Sequence, residues 1–188
     1  QGGPPPVGGG GYNLAEPVPK KAGTPVLAGS SFNLWDPDFG APFAYSNTTA
    51  LRAHLAAKLV SQQRRQQSAY HGMRFEPGVL PLDSPRIAFR KIARPTDTRT
   101  TIACLLPPGT SMTEAAQTIV RVKGDAKAEA FLLGVLSSIP FDWGARRWVE
   151  LNFNFFIMNP LPVPTYVPES ALACRVVATA ARLAAVDE

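Results

Sequence analysis

The sequence predicts an α+β fold: a small mixed β-sheet with helices packed against it. Three observations carry that reading. Leu51, Leu55 and Leu59 recur every four residues, with Ala56 and Val60 beside them, which is the face of a helix. Residues 86–106 hold two runs of alternating or β-branched residues separated by turn chemistry. Apolar residues then return at helical spacing in 126–137 and again near the C-terminus. With 188 residues, 45% of them hydrophobic, the chain is long enough for one domain with a core.

In chain order, residues 1–31 are rich in Gly and Pro and carry little apolar periodicity, which predicts a flexible linker ahead of a domain spanning 32–188. The opening "QGGPPPVGGGGYN" lacks Met, and the expectation is a fragment of a longer chain. Residues 32–46 place Phe32, Phe39, Phe43 and Tyr45 around Trp35 with turn residues between, an ordered loop that packs its rings on the domain. Asn47 and Thr48 offer N-caps for a helix that continues through "SQQRRQQSAY" to Tyr70.

"PRIAFRK" alternates until its phase slips near Lys91-Ile92, which predicts a bulge or burial on both faces. Arg94-Pro95-Thr96-Asp97 is turn chemistry. Thr98 to Leu106 reads as the partner strand, ended by Pro107-Pro108-Gly109, and Thr118–Val122 as a third. A helix over 126–137 is interrupted at Pro140, where "PFDWGARRWVE" starts another. Asn152–Met158 reads as a strand that Pro160, Pro162 and Pro164 terminate. Pro168 opens a last helix with Leu172, Val176, Val177, Ala180 and Leu183 on its buried face.

Charge and composition narrow the function. The net charge is +5, which permits a nucleic-acid partner without requiring one. No apolar run reaches the length of a membrane span and no signal peptide opens the chain, so a cytoplasmic location is expected. The two cysteines, Cys104 and Cys174, sit in apolar stretches and read as buried thiols. His54 and His71 have no Cys or carboxylate at metal-ligand spacing. There is no nucleophile elbow and no dinucleotide fingerprint. Asn159-Pro160-Leu161-Pro162 approaches the Asn-Pro-Pro-aromatic loop of amine methyltransferases, but no ring follows to stack on a base, and a strand exit explains it better.

Five cations, Arg86, Arg90, Lys91, Arg94 and Arg99, fall within 14 residues, with Asp97 the one acid among them. Two readings stand. Charges on a hairpin deter edge-to-edge aggregation. Alternatively, arginines on strands and a tight loop reach phosphates and base edges. Arg146-Arg147 reads as a cationic end to a helix.

Larger stretches carry a resemblance. "PRIAFRKIARPTDTRTTIACLLPPG" and "AFLLGVLSSIPFDWGARRWVELNFNFFIMNPLPVP", preceded by "LAGSSFNLWDPDFGAPFAY", resemble the TaqI-like C-terminal specificity domain of bacterial single-chain type II DNA adenine-N6 methyltransferases of restriction–modification and phage-defence systems. The likeness covers about residues 26–185. It implies a target-recognition domain that binds double-stranded DNA beside an N-terminal catalytic domain. That domain, absent from these residues, would use S-adenosylmethionine, and some members also cut DNA. It implies no catalytic residue, metal or cofactor within this chain. Under this resemblance Arg94, Thr96, Asp97 and Arg99 are expected to reach bases, and Arg86, Arg90 and Lys91 to meet phosphate; an internal Asp97–Arg99 pair that shapes the turn is the alternative role. The competing function is a protein-interaction module that docks another defence subunit through the aromatic stretch Phe32–Tyr45.

Overall fold

A computed structural model of the chain describes residues 23–68, 70–121 and 124–185. It is an α+β fold built on two three-stranded sheets. In the first, β1 (Thr24–Leu27) lies between antiparallel β2 (Ala44–Ser46) and parallel β5 (Ser111–Met112). In the second, β3 (Arg86–Arg90) lies between β4 (Ala103–Leu106) and β6 (Ala116–Ile119), both antiparallel to it.

The pleat of β3 explains the two layers of core. Ile87 and Phe89 point to one face, where they meet Leu133, Leu136, Phe141, Ala145, Val149 and Phe153. Ala88 points to the other, with Cys104, Leu106, Leu27, Phe32 and Ala116. A central strand covered on both sides needs apolar residues at successive positions, and Ile87, Ala88 and Phe89 are all buried. The phase slip at Lys91-Ile92 falls just past β3, which ends at Arg90, and Ile92 is exposed there, so two-sided burial is a property of Ile87–Phe89 and does not explain the slip. Phe89 is held edge-on by Phe153 and Phe155, with ring centroids 5.4 and 5.2 Å away. Burial pushes the Cys104 thiol up to about 12, with Asp36 adding to the shift, which leaves it an unreactive core residue.

The helices cover the first face. α2 (Ala126–Leu136) starts at Asp125, whose carboxylate accepts from the Ala128 N–H. α3 (Ile139–Arg146) starts at Ser138 and carries Pro140 in its first turn, where proline removes no helical hydrogen bond. α5 (Ala171–Ala184) lies on α2. α1 (Thr48–Arg64) is capped by Asn47 and buries only Leu51 fully. It is tied to the body by Arg52, whose guanidinium grips both carboxylate oxygens of Asp83 and the Gly78 carbonyl. Among the described residues no helix is long and apolar enough to cross a membrane.

Several expectations are corrected. Part of the stretch read as linker, residues 24–31, is β1 and a buried 3-10 turn, with Val26, Leu27 and Ser31 inside the core; residues 1–22 lie outside the described residues. α1 ends at Arg64, six residues early, because the Gln- and Ser-rich continuation has no apolar face to bury. The strand expected over Thr98–Leu106 begins only at Ala103, since the Thr100 and Thr101 amides are taken by a side chain rather than a neighbouring strand. The third strand is Ala116–Ile119, displaced toward the N-terminus from Thr118–Val122, of which Val122 lies outside the described residues.

Asn152–Met158 is no strand. Asn152 makes one antiparallel bridge with Ile92, and the chain then turns into α4 (Phe155–Met158) because the Asn154 side chain caps it by accepting from the Ile157 N–H. The last helix begins after Ser170, not at Pro168. Its buried residues are Ala173 and Ala180, while Leu172, Leu183 and Cys174 are exposed.

α2 and α5 approach closely where Gly134 has no side chain. A Cβ there would stand 2.8 Å from Val176 Cγ1 and 3.3 Å from the Ala180 Cβ. Val176 is β-branched and held in one helical rotamer, so it yields poorly. Gly134→Ala should therefore destabilise the fold by about 1–3 kcal/mol through overpacking, although alanine is the better helix former by about 1 kcal/mol. Urea denaturation reads this directly, and a stabilised variant would show that the two helices are free to separate.

Candidate nucleic-acid interface

The expected site residues fall into two groups. Arg86 is 4% exposed: its guanidinium lies in the interior and donates to the Thr110 carbonyl. Burial holds its pKa below the usual arginine value, with Tyr70 and Asp83 opposing that shift. Arg90 is half-buried and donates to the Phe32 carbonyl through Nε and Nη2, stacking over the same residue's ring. Lys91 lies 3.6 Å from the exposed Glu114 carboxylate. Arg86 and Arg90 thus spend their guanidinium groups on backbone carbonyls beside the first sheet, Thr110 just before β5 and Phe32 after the 3-10 turn, where phosphate contacts were expected.

The turn at 94–98 is different. Arg94, Pro95, Thr96, Asp97 and Thr98 are all exposed. The Asp97 carboxylate turns back to accept from the Arg94 N–H at 2.9 Å, while the Asp97 N–H donates to the Arg94 carbonyl. The Thr100 hydroxyl donates to that same carbonyl. Asp97 therefore shapes the turn, as the alternative reading required, but its partner is the Arg94 backbone and not Arg99.

Arg99 points the other way. Its Nη2 donates to the Ser137 carbonyl at 2.7 Å and the Ser138 carbonyl at 3.3 Å, at the C-terminal end of α2, where a cation is favoured. Its Nε lies 3.4 Å from Asp142 Oδ1. The expectation that Arg99 reaches a base is corrected accordingly: the residue fastens the turn to the helices. Of the seven expected residues, Arg94 and Thr96 remain with side chains that no partner among the described residues engages.

The residue that organises this region, Asp142, was not singled out from the sequence. It is 5% exposed in the first turn of α3. Its Oδ1 accepts from the Thr100 N–H at 2.8 Å, the Thr101 N–H at 2.7 Å and the Thr101 hydroxyl at 2.9 Å. Its Oδ2 accepts from Arg146 at 3.0 Å. Burial works to raise its pKa, but the Thr101 N–H, Arg146, the Thr101 hydroxyl and the Arg99 charge outweigh it and hold the carboxyl below its usual range.

Arg146 continues the clamp to the turn itself. Its Nη1 donates to the Pro95 carbonyl at 2.7 Å and its Nη2 to the Thr98 carbonyl at 3.0 Å. Rather than capping α3, Arg146 grips the far side of the exposed turn. The i, i+4 spacing of Asp142 and Arg146 was a legible helix pair. Their reach across some 40–50 residues to the turn was not.

Beside Arg146 the outer face of α3 carries Trp143, 62% exposed, with the Arg147 guanidinium 5.1 Å from its ring centroid. Ala93, just before the turn, donates to the Leu151 carbonyl, and Ile92, Trp148 and Leu151 are exposed nearby in the chain. Asn159 is exposed at the end of α4 with its N–H on the Phe155 carbonyl, and Leu161 packs on the core, so this stretch holds no base-stacking ring. A separate shallow groove of about 270 Å³ lies between α2 and α5, lined by Trp35, Gly134, Leu172, Val176, Ala180 and Leu183. No family model matches the chain, and no curated protein matches its sequence.

Asp142→Asn should cost about 3 kcal/mol of stability at neutral pH, because two arginines lose their charged partner. A carboxyl whose folded pKa is depressed contributes stability above its unfolded pKa of about 3.9 and loses it as pH falls through the lower folded value. The wild type should therefore lose stability faster than Asp142→Asn on acidification below about pH 4. Denaturation curves at several pH values measure both, and parallel acid limbs would contradict the assignment.

Proposed function

We propose that the chain is the DNA-recognition module of a larger adenine-N6 methyltransferase from a restriction–modification or phage-defence system. The observation that carries this reading is the exposed 94–98 turn, locked from beneath by Asp97, Thr100 and Arg146 with the Arg94 guanidinium left outward. A turn whose backbone is already fixed loses little entropy on docking, and a free guanidinium can bond guanine bidentately or meet a phosphate. The net charge of +5 and the resemblance of residues 85–109 and 130–164 to the specificity domain agree with it.

In this reading Arg94 and Thr96 make the groove contacts, Arg147 adds a phosphate contact, and Asp97, Arg99 and Arg146 position the turn. Methyl transfer belongs to an N-terminal domain of the same parent chain, which would hold S-adenosylmethionine and supply the other wall of the DNA cleft.

A protein-docking role is the second reading, and Phe39 and Phe43, about 60% exposed, favour it. The rest of that aromatic stretch turns inward: Phe32 is fully buried and Trp35 packs on the core.

With Arg147 as the one phosphate contact in this reading, the logarithm of duplex affinity should fall with the logarithm of salt at a slope of about −0.9. Arg94→Ala should weaken duplex binding severalfold without lowering the melting temperature. Glu150, exposed in the bend just before the Asn152–Ile92 bridge, adds an opposing charge, so Glu150→Gln should tighten binding. Fluorescence anisotropy with a labelled duplex reads all three; unchanged affinity in both variants would sink the proposal.

A further inference from the structure

The 94–98 turn does not account for the neighbouring face of α3. Trp143 is 62% exposed on the outer face of α3, which leaves a large ring open to a flat partner. Trp35, by contrast, packs half-buried on the core, while Trp148 is exposed like Trp143. Arg147, one turn further along, lays its guanidinium over the Trp143 ring at 5.1 Å. That contact places a positive charge on the ring's own surface. On the flank of the same helix, Arg146 holds the turn that presents Arg94. The exposed ring thus carries one cation, Arg147, and the turn that Arg146 grips presents a second, Arg94, while Asp142, the acid next to Trp143 in the chain, is buried and engaged.

The chemistry that fits such a surface is a flat, electron-rich ring attached to a phosphate. A protein partner with an apolar patch would not gain from the two cations, whereas a nucleotide gains from both parts. Inside an intact duplex the bases are stacked on each other and offer no free face. Resting on the DNA-binding reading above, we propose that Trp143 with Arg147 is a stacking platform for an unpaired nucleobase. The chain would accordingly prefer DNA in which at least one base stands out of the helix, the adjoining phosphate being met by Arg147.

The test compares three probes on the whole 188-residue chain: a single strand, the perfect duplex, and the same duplex with one unpaired base. The wild type should bind the single strand and the bulged duplex more tightly than the perfect duplex, with quenching of tryptophan fluorescence. Trp143→Ala should lose roughly tenfold in affinity for the first two, within the range one base–aromatic stack contributes, and almost nothing for the perfect duplex. Trp143→Phe should recover most of that loss, which a merely structural role for the indole would not produce. Both positions are exposed, and melting curves verify that each variant is folded. Equal affinity of wild type and Trp143→Ala for all three probes overturns the platform. If Arg94→Ala still weakens duplex binding in that case, the DNA-binding reading survives without it; if no probe binds, both fall.

Discussion

A single buried carboxylate sets the form of the candidate interface. Asp142 gathers two backbone amides and a hydroxyl from Thr100 and Thr101 on one oxygen and the Arg146 guanidinium on the other. A carboxylate taken out of water is tolerable only when its lone pairs are met in this way. Once they are, the segment leading into β4 cannot slide relative to α3. The Thr100 hydroxyl and Arg146 pass that constraint on to the Arg94, Pro95 and Thr98 carbonyls. The exposed turn is therefore rigid because its supports are interior.

The same arrangement sorts the cations. Arg86 and Arg90 sit in or beside the core and donate to the Thr110 and Phe32 backbone carbonyls. Arg99 and Arg146 surround Asp142. Arg94 and Arg147 are exposed. A cluster that looks like one basic patch in sequence divides in space into a structural set and an outward set.

Local chemistry was legible in the sequence and distant pairing was not. The α+β class, α1, α2 and β3 could be read because their caps, leucine spacing and apolar runs act within a few residues. The strand over Asn152–Met158 failed because an Asn154 cap outweighed the alternating rings, and β1 was hidden in a Gly- and Pro-rich context with a strand only four residues long. Asp142 was missed for a different reason: its partners at Thr100 and Thr101 lie about 40 residues away, and no local pattern encodes that contact. Where Arg99 would turn followed from Asp142, so it was misread along with it.

The central claim is that Asp142 fixes the turn so that Arg94 can meet DNA, and a double-mutant cycle on duplex affinity tests it most directly. Residues acting through one another give non-additive effects. Asp142→Asn, measured at a temperature where it remains folded, should weaken duplex binding nearly as much as Arg94→Ala. The double variant should then be no weaker than Arg94→Ala alone. Fully additive losses, or an Asp142→Asn variant that binds duplex like the wild type, would contradict the account.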